Sequence, residues 1–321
     1  MIVNEKENGK FKVNFTPKLP GAYNIEVKIN DGKLPNCPFT TQVKEREFVV
    51  VGELNMKCCF KEVCFTRHWA GIAVNTTGKI AISYLKGHCV DKFDKEGNCL
   101  RTIGSHRENA GPFNHPWGVT YLNDDEILIA DQWNHRIQQI DVQTGTVVKS
   151  FGNVAKGKGE FSRPVDVCLD KQNRIVVTEL NNDRIQIITQ EGETITMFGD
   201  SGPEKLIHPT SCIPYKNMFV VADGGNEYIK VFDQSGTFLY KIGKEGIQDG
   251  QFNWPSGLLP VSSNNLLVCN YYNNRVQQFS LDGRFTGKST TYLVHPSAIA
   301  TAPDGRILVT SGTAKKVYIL R

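Results

Sequence analysis

The sequence predicts an all-β protein whose larger part is a six-bladed β-propeller, and three observations support this. Short apolar runs alternate with polar residues and are separated by Asn, Asp and Gly, as in residues 117–152, "WGVTYLNDDEILIADQWNHRIQQIDVQTGTVVKSFG". Such runs are typical of strands joined by hairpins. A unit of this kind recurs six times along the chain. Helical spacing is not sustained over any long stretch.

Each repeat begins at an anchor residue that is followed by a short apolar strand. In five of the six repeats the residue after the anchor is a proline. The anchors recur at intervals of 41 to 48 residues, a length that suits one four-stranded propeller blade. We therefore predict blades that start near these positions: "HWAGI" at His68, "HPWGV" at His115, "RPVDV" at Arg163, "HPTSC" at His208, "WPSGL" at Trp254 and "HPSAI" at His295.

The ends of the repeats predict how the ring closes. The fourth strands end alike, in "RTIG" (101–104), "KSFG" (149–152), "TMFG" (196–199) and "YKIG" (240–243), whereas the last repeat stops after its third strand, "KVYIL". Residues 46–52, "REFVVVG", carry the missing signature. We expect them to pair with the last blade, because an open ring would leave unpaired strand edges. Phe113, Phe161 and Phe252, two residues before their anchors, are expected to form inter-blade core.

Residues 1–45 form a separate segment. Its stretch "GKFKVNFTPKLPGAYNIEVKINDGKLPNCPFTTQV" alternates as strands joined by "PGAY" and "NDGK" turns. It resembles the C-terminal half of a filamin-type immunoglobulin-like repeat, with Cys37 where serine is usual. Because a complete repeat needs about twice as many residues, we expect the chain to begin within this domain.

The "DxxNxRI" pattern, the glycine endings and the proline entries of residues 46–321 resemble the NHL repeat family. A filamin-type repeat joined to an NHL propeller resembles the C-terminal half of TRIM-NHL proteins. That resemblance implies that the chain is a binding module, that it needs no cofactor and that it is not an enzyme. No RING-type Cys/His pattern occurs, so any ubiquitin-ligase activity is expected to lie in a RING outside this chain.

Composition narrows the class of protein. Hydrophobic residues make up 40% and charged residues 22%, and the net charge is +4, which is compatible with nucleic-acid binding without requiring it. The absence of an apolar run of membrane length and of a signal peptide predicts a cytoplasmic protein with no membrane contact. The nine cysteines are expected to be buried reduced thiols, since none forms a CxxC pair and several lie in apolar runs such as "VDVCLD". A zinc site formed by Cys58, Cys59 and Cys64 is the alternative, but these residues lack the usual spacing of zinc ligands.

The stretch "DQWNHRI" (131–137) looks like a catalytic cluster, but "ELNNDRI" (179–185), "DGGNEYI" (223–229) and "NYYNNRV" (270–276) repeat it. An active site is normally unique, so the motif is interpreted as architecture. Asp131 with Arg136, and Glu179 with Arg184, are predicted to tie adjacent strands. Asn134, Asn182, Asn226 and Asn274 are assigned to turn formation.

Residues that do not repeat are better candidates for binding. Loops between second and third strands, and the loops that enter each blade, are expected to lie on one rim around the channel. The predicted site on this rim for RNA or another partner comprises Arg67, His68, His115, Trp133, Asn134, His135, Arg163, His208, Tyr228, Trp254, Tyr271, Tyr272, Asn274, Arg275, His295 and Lys315.

Three functions compete. Aromatic rings beside cations suit single-stranded or stem-loop RNA, and the TRIM-NHL resemblance implies RNA binding as well. The same rings suit a protein partner or ubiquitylation substrate, and Asp183 and Glu227 on that rim favour this locally. Four histidines in one register, 68, 115, 208 and 295, leave open a metal-dependent lyase or lactonase. RNA is the preferred partner, and no DNA binding is expected.

Overall fold

The computed structural model describes residues 2–6, 10–14, 21–26, 28–29, 32–33, 38–43, 46–57, 69–104, 113–262 and 264–321. Apart from two three-residue 3-10 turns, at Gln132–Asn134 and Gly224–Asn226, the regular elements in these ranges are strands. The predicted fold class is confirmed, since six sheets follow one another as the blades of a propeller.

The N-terminal segment contributes three antiparallel strand pairs. Ile2–Lys6 pairs with Lys10–Asn14, Gly21–Ile25 pairs with Phe39–Val43, and Lys28–Ile29 pairs with Gly32–Lys33. Alternating residues supply these strands, as the sequence predicts. The predicted "PGAY" turn is wrong for its last three residues, because they belong to the strand Gly21–Ile25.

Blades 1 to 3 each contain four antiparallel strands, which follow one another along the chain from the innermost to the outermost. Blade 1 comprises Trp69–Val74, Ile80–Tyr84, Cys89–Phe93 and Cys99–Gly104. Blade 2 comprises Pro116–Tyr121, Glu126–Asp131, Arg136–Asp141 and Val147–Phe151. Blade 3 comprises Pro164–Leu169, Ile175–Glu179, Arg184–Ile188 and Thr194–Phe198.

Blades 4 to 6 follow the same order, and a segment from before blade 1 extends two of them. Blade 4 comprises Pro209–Tyr215, Met218–Asp223, Tyr228–Asp233 and Phe238–Ile242. Blade 5 comprises Pro255–Ser262, Asn265–Asn270, Arg275–Ser280, Phe285–Ser289 and Arg46–Phe48. Blade 6 comprises Pro296–Thr301, Ile307–Ser311, Lys316–Leu320 and Val50–Leu54.

The segment expected to close the ring divides between two blades. Val50–Leu54 pairs antiparallel with Lys316–Leu320 and becomes the fourth strand of blade 6. Arg46–Phe48 instead runs parallel to Phe285–Ser289 as a fifth strand of blade 5. Between them, the backbone of Val49 exchanges two hydrogen bonds with Arg321, of 3.0 and 3.1 Å. The assignment of all of 46–52 to the last blade is therefore wrong for its first three residues.

The core consists of six hydrophobic clusters, one between each pair of neighbouring blades. Phe113, Phe161 and Phe252 are buried in three of them, as predicted. Phe161 and Phe252 pack against Gly152 and Gly243, whose φ angles of 85° and 79° are left-handed. The glycine that follows or ends the outer strand of blades 2 and 4 therefore makes room for the aromatic residue that introduces the next blade.

No helix in the described ranges is long and apolar enough to cross a membrane.

Cys89, Cys212 and Cys269 are buried free thiols, and Cys168 is a half-buried one. Cys99 is disulfide-bonded, so the expectation of reduced thiols is wrong at that position.

Candidate functional site

One rim of the ring gathers the loops that the sequence pattern singles out. In each of blades 2 to 6 the proline that opens the innermost strand pairs with the last residue of the second strand, as Pro116 does with Asp131. Blade entries and the loops between second and third strands therefore share one end of every blade. The innermost strands contact one another around the full circle, so these ends form a continuous face.

The repeated acids of the motif are buried and serve the architecture. Asp131 has no exposed surface; it accepts hydrogen bonds from Nε of Arg136 at 2.9 Å and from the backbone N–H of Asn114 at 2.6 Å. Glu179 is likewise buried and lies 2.6 Å from Nε of Arg184. Each acid thus joins the second and third strands of its blade to the incoming chain, and the predicted acid–arginine pairs are confirmed.

A second set of contacts, which the sequence pattern did not predict, joins neighbouring blades. The residue before each third strand has a left-handed backbone, and so does the residue that enters the next blade. At five junctions the side chain of the first accepts the backbone N–H of the second. We call these contacts the inter-blade clasps: His88 to His115, His135 to Arg163, Asp183 to His208, Glu227 to Trp254 and Asn274 to His295.

The clasp at His135 fixes its protonation state. Its Nδ1 accepts the N–H of Arg163 at 3.2 Å, which requires an unprotonated Nδ1. Burial lowers the pKa of His135, and the charge of Arg163 lowers that pKa further. Because both effects disfavour the imidazolium, His135 is a neutral structural acceptor at physiological pH, although it was predicted as a binding residue.

Two clusters of exposed or half-buried side chains lie on the rim, and the first centres on Trp133. This ring is 47% exposed, and the guanidinium of Arg163 lies 4.8 Å from its centroid. The His115 ring lies 5.7 Å from Trp133, and His88 contacts His115 edge-on at 4.6 Å. The Nε of Arg163 is buried and has no hydrogen-bond partner among the described residues. We call His115, Trp133 and Arg163 the Trp133 cluster.

The second cluster lies on blade 5 and at the entry to blade 6. Tyr271 stacks on His295 with centroids 4.6 Å apart and planes at 8°. Tyr272, which is 54% exposed, meets Tyr271 at 5.0 Å and 90° and meets Trp254 at 6.3 Å. His208 lies 6.4 Å from Trp254. We call Trp254, Tyr271, Tyr272 and His295 the tyrosine cluster. Its rings present edges and faces at several angles.

Other predicted site residues stay outside both clusters. Tyr228 lies beneath Nζ of Lys241 at 4.7 Å on the outer side of blade 4. Arg275 binds the carbonyl of Ile247 at 2.9 Å and lies 3.3 Å from Asp249, so it secures the loop that leads into blade 5. Asn134 donates to Asp131 at 2.9 Å.

Asn274 and Lys315 both lie in the register of the clasp residues, which the sequence pattern did not predict. Asn274 is a clasp residue, and the asparagine in phase with Asn134 is Asn273, which donates to the carbonyl of Gly246 at 2.8 Å. The predicted phase was therefore wrong by one residue. Lys315 is half-buried with a φ of 56°, in the register of the clasp residues. Arg67 and His68 lie outside the described residues.

Tyr292, which the sequence pattern did not single out, is 67% exposed on the loop that enters blade 6. Its neighbour Leu293 bonds through its N–H to the carbonyl of Asn274 at 2.8 Å, which places Tyr292 beside the tyrosine cluster. Tyr292 does not lie on the repeated motif, so the repeat carries no signal for it.

The histidines of the entry register do not form a metal site in the part of the chain that the structure describes. His115, His208 and His295 each contact an aromatic ring, and no group of three or more His, Cys, Asp or Glu side chains there could hold a metal ion. The channel below them encloses a cavity of about 370 Å³ that the innermost strands line.

Comparison with known families agrees with this architecture. Residues 1–40 match the Filamin/ABP280 repeat, and residues 113–140 and 161–188 match the NHL repeat. The Drosophila melanogaster protein brain tumor is 28% identical over 107 residues, which is 32% of this chain. The match spans only 10% of the length of that relative.

Solved structures share the fold at low identity. A virginiamycin B lyase from Staphylococcus aureus, in a catalytically inactive form with quinupristin, is 16% identical with a TM-score of 0.60, covering 96% of this chain and 97% of the other. A streptogramin B lyase is 14% identical with a TM-score of 0.58, covering 84% and 96%. The chain therefore carries a segment that matches the filamin repeat and two segments that match the NHL repeat within a six-bladed propeller, and it is similar to brain tumor over about a third of its length.

Proposed function

We propose that the propeller is a binding module that recognises single-stranded or stem-loop RNA on the rim that carries the Trp133 cluster and the tyrosine cluster. The observation that carries the proposal is the pairing of Trp133 with Arg163. An exposed ring with a guanidinium 4.8 Å away offers stacking to a base and charge to the adjoining phosphate.

The absence of a carboxylate partner for Arg163 among the described residues supports this proposal. Arg136 and Arg184 of the neighbouring motifs are neutralised by buried acids, whereas Arg163 pairs with no carboxylate among the described residues. Its buried Nε also lacks a partner there. A buried donor without a partner calls for an explanation, and a bound phosphate oxygen would supply one.

The tyrosine cluster extends the surface on which bases could stack. Tyr272 and Tyr292 are largely exposed, and Tyr271 already stacks on His295. Stacking is tolerant of base identity, so these rings would contribute affinity more than sequence preference. The resemblance to TRIM-NHL proteins adds to the proposal, which assigns the propeller no reaction and a cytoplasmic, post-transcriptional role.

The test is a salt titration of binding to a short single-stranded RNA and to a hairpin RNA. Replacing Arg163 with alanine should weaken binding to both and reduce the slope of log K against log salt by about 1, since one phosphate contact is lost. The matched control is Arg284→Ala, which removes an exposed arginine from a turn at the opposite end of the blades. Equal slopes for the wild type and Arg163→Ala would contradict the proposed site.

A protein partner is the second candidate, and one observation favours it. Asp183 and Glu227 lie on the rim beside His208 and Trp254, where a carboxylate would repel phosphate. A pulldown on the full chain, with bound RNA sequenced and bound proteins identified in parallel, separates the two candidates. Recovery of a protein that Tyr272→Ala releases, without RNA, would favour the second.

A further inference from the structure

The central channel contains a half-buried acid that neither the fold nor the rim requires. The third residue of each innermost strand faces the neighbouring blade at close range. An added Cβ at Gly118 would lie 2.6 Å from Cα of Asp166, and one at Gly257 would lie 2.8 Å from Cα of Ala298. Small residues occupy five of these six positions and an aspartate occupies the sixth: Gly71, Gly118, Asp166, Ser211, Gly257 and Ala298.

Only neutral groups bond to the carboxylate of Asp166. The N–H of Val167 donates to Oδ1 at 2.9 Å, and the Ser211 hydroxyl and the N–H of Cys212 donate from blade 4. Among the described residues that line the cavity there is no lysine, arginine or histidine. No cation of the described chain therefore compensates this charge.

Burial raises the pKa of Asp166 to about 6, so the group is ionised at neutral pH and protonated in mild acid. The other titratable groups that face it stay neutral. Burial raises the pKa of the Cys168 and Cys212 thiols, and burial also raises the pKa of the Tyr121 hydroxyl. A carboxylate charge removed from water costs free energy unless a cation or a bound ligand compensates it.

The surroundings of Asp166 have the properties of a ligand site. The cavity of about 370 Å³ lies within the range of small-molecule pockets. Its wall offers polar and apolar surface in similar amounts, and Ile72, Val119 and Leu258 contribute to the apolar part. The hydroxyl of Tyr121, on the same wall, is buried and has no hydrogen-bond partner among the described residues.

We propose that the central channel binds a small organic ligand with a protonated amine and an apolar body, whose amine bonds to Asp166. A metal ion fits less well, because one carboxylate is too few ligands and no suitable group of three occurs in the described ranges. An anion is disfavoured by the carboxylate itself. The site is separate from the rim, so it holds whether or not the rim binds RNA.

The experiment titrates the full chain with 2-phenylethylamine and, in parallel, with 2-phenylethanol, a neutral molecule of similar shape. Chemical-shift changes in NMR spectra report saturable binding. At pH 7.4 the amine should bind at least tenfold more tightly than the alcohol. Asp166→Asn should remove this preference, whereas Asp304→Asn, a surface aspartate in a turn of blade 6, should leave it unchanged.

A pH series on the wild type keeps the proposal testable if Asp166→Asn does not fold. Amine affinity should fall about tenfold per pH unit below 6, as Asp166 is protonated, while the affinity for the alcohol stays flat. Equal affinities for the two probes, no saturable binding of the amine, or a flat amine profile would each overturn the proposal. Arg163→Ala should not alter amine binding, so failure of the RNA proposal is distinguishable.

Discussion

The residues that precede the third strands show how one structural role can be met by different side chains. At five junctions they are His88, His135, Asp183, Glu227 and Asn274, and each offers an oxygen or nitrogen acceptor to the next blade. Their shared feature is a lone pair on a left-handed residue. A search for repeated residue types could not detect this, because no residue type dominates the position.

The clasp at His135 predicts a pH effect on stability. Its folded-state pKa is lowered by burial and by Arg163, so the unfolded chain binds more protons below about pH 6.5. Stability contributed by the neutral clasp is present above that pH and is lost as pH falls through the folded-state pKa. His135→Asn, which supplies the acceptor found at the blade 5 junction, should flatten this decline in urea unfolding between pH 8 and pH 5.

His208 provides the control for that series, since its backbone N–H is clasped by Asp183 and its ring is exposed. His208→Asn should leave the pH profile of unfolding as it is in the wild type. A steep decline that persists in His135→Asn would show that other groups govern acid stability.

The tyrosine cluster predicts an effect on RNA affinity. Tyr272 is the more exposed ring, and Tyr271 is held by its stack on His295. Replacing both with alanine should weaken RNA binding by roughly 1–3 kcal/mol for each base that stacks there. Tyr215→Ala, at the opposite end of blade 4, should leave affinity unchanged. Unchanged affinity in the double variant, measured by fluorescence anisotropy, would exclude these rings from the site.

The acid–arginine pairs could be predicted from the sequence, whereas the roles of individual loop residues could not. Asp131 and Arg136 flank a hairpin, so strand pairing alone brings them together. Arg275 occupies the same register as Arg136 but has Asn270 in place of the acid, and it donates to the loop carbonyl of Ile247. Such differences depend on contacts between blades, which one repeat does not encode.

At the level of strands, the glycine endings predict a sharp contrast between two substitutions. Gly152 has a φ of 85°, and an added Cβ would lie 2.1 Å from Cδ2 of the buried Phe161. Gly305 has a φ of 83° with nothing within 4 Å of such a Cβ. Gly305→Ala should cost about 1–2 kcal/mol through its backbone conformation alone, and Gly152→Ala about 3 kcal/mol or more.

Urea unfolding of the two glycine variants measures that difference directly. Equal losses would mean that backbone conformation accounts for both effects and that the Phe161 contact adds nothing. Gly202→Ala, with a φ of 81° and open space around it, serves as a second control.

The strands of the blades could be predicted because alternation and turn residues recur in every copy. The closing segment was harder, since "REFVVVG" has the length and pattern of one outer strand. Phe48 breaks that pattern, because it is fully buried in the hydrophobic cluster between blades 5 and 6, together with Leu267 and Leu293. This buried ring lies where the segment passes from blade 5 to blade 6.

For the whole molecule, ring closure predicts that two truncations behave differently. A chain that begins at residue 46 keeps both closing strands, whereas one that begins at residue 55 leaves Lys316–Leu320 as an unpaired edge. The first should melt close to the full chain in one transition. The second should melt at lower temperature and aggregate. Similar melting of both chains by calorimetry would show that closure contributes little.

The number of blades and the common rim could be predicted because each repeat contributes the same loops to the same end. The surroundings of the acid in the channel and the clasps between blades could not be predicted, since both arise only when neighbouring blades pack together. Asp166 sits in "RPVDV", a stretch that reads as an ordinary strand start.

The division of residues 46–54 between blades 5 and 6 has a mechanical consequence. The last residue, Arg321, is bonded to Val49, and the same short stretch leads directly back to the filamin repeat. Tension on that repeat would be delivered first to the two strands that hold the circle shut. A pull from the N-terminal side would peel them away before it strained any other blade, which makes this junction the point where load would open the propeller.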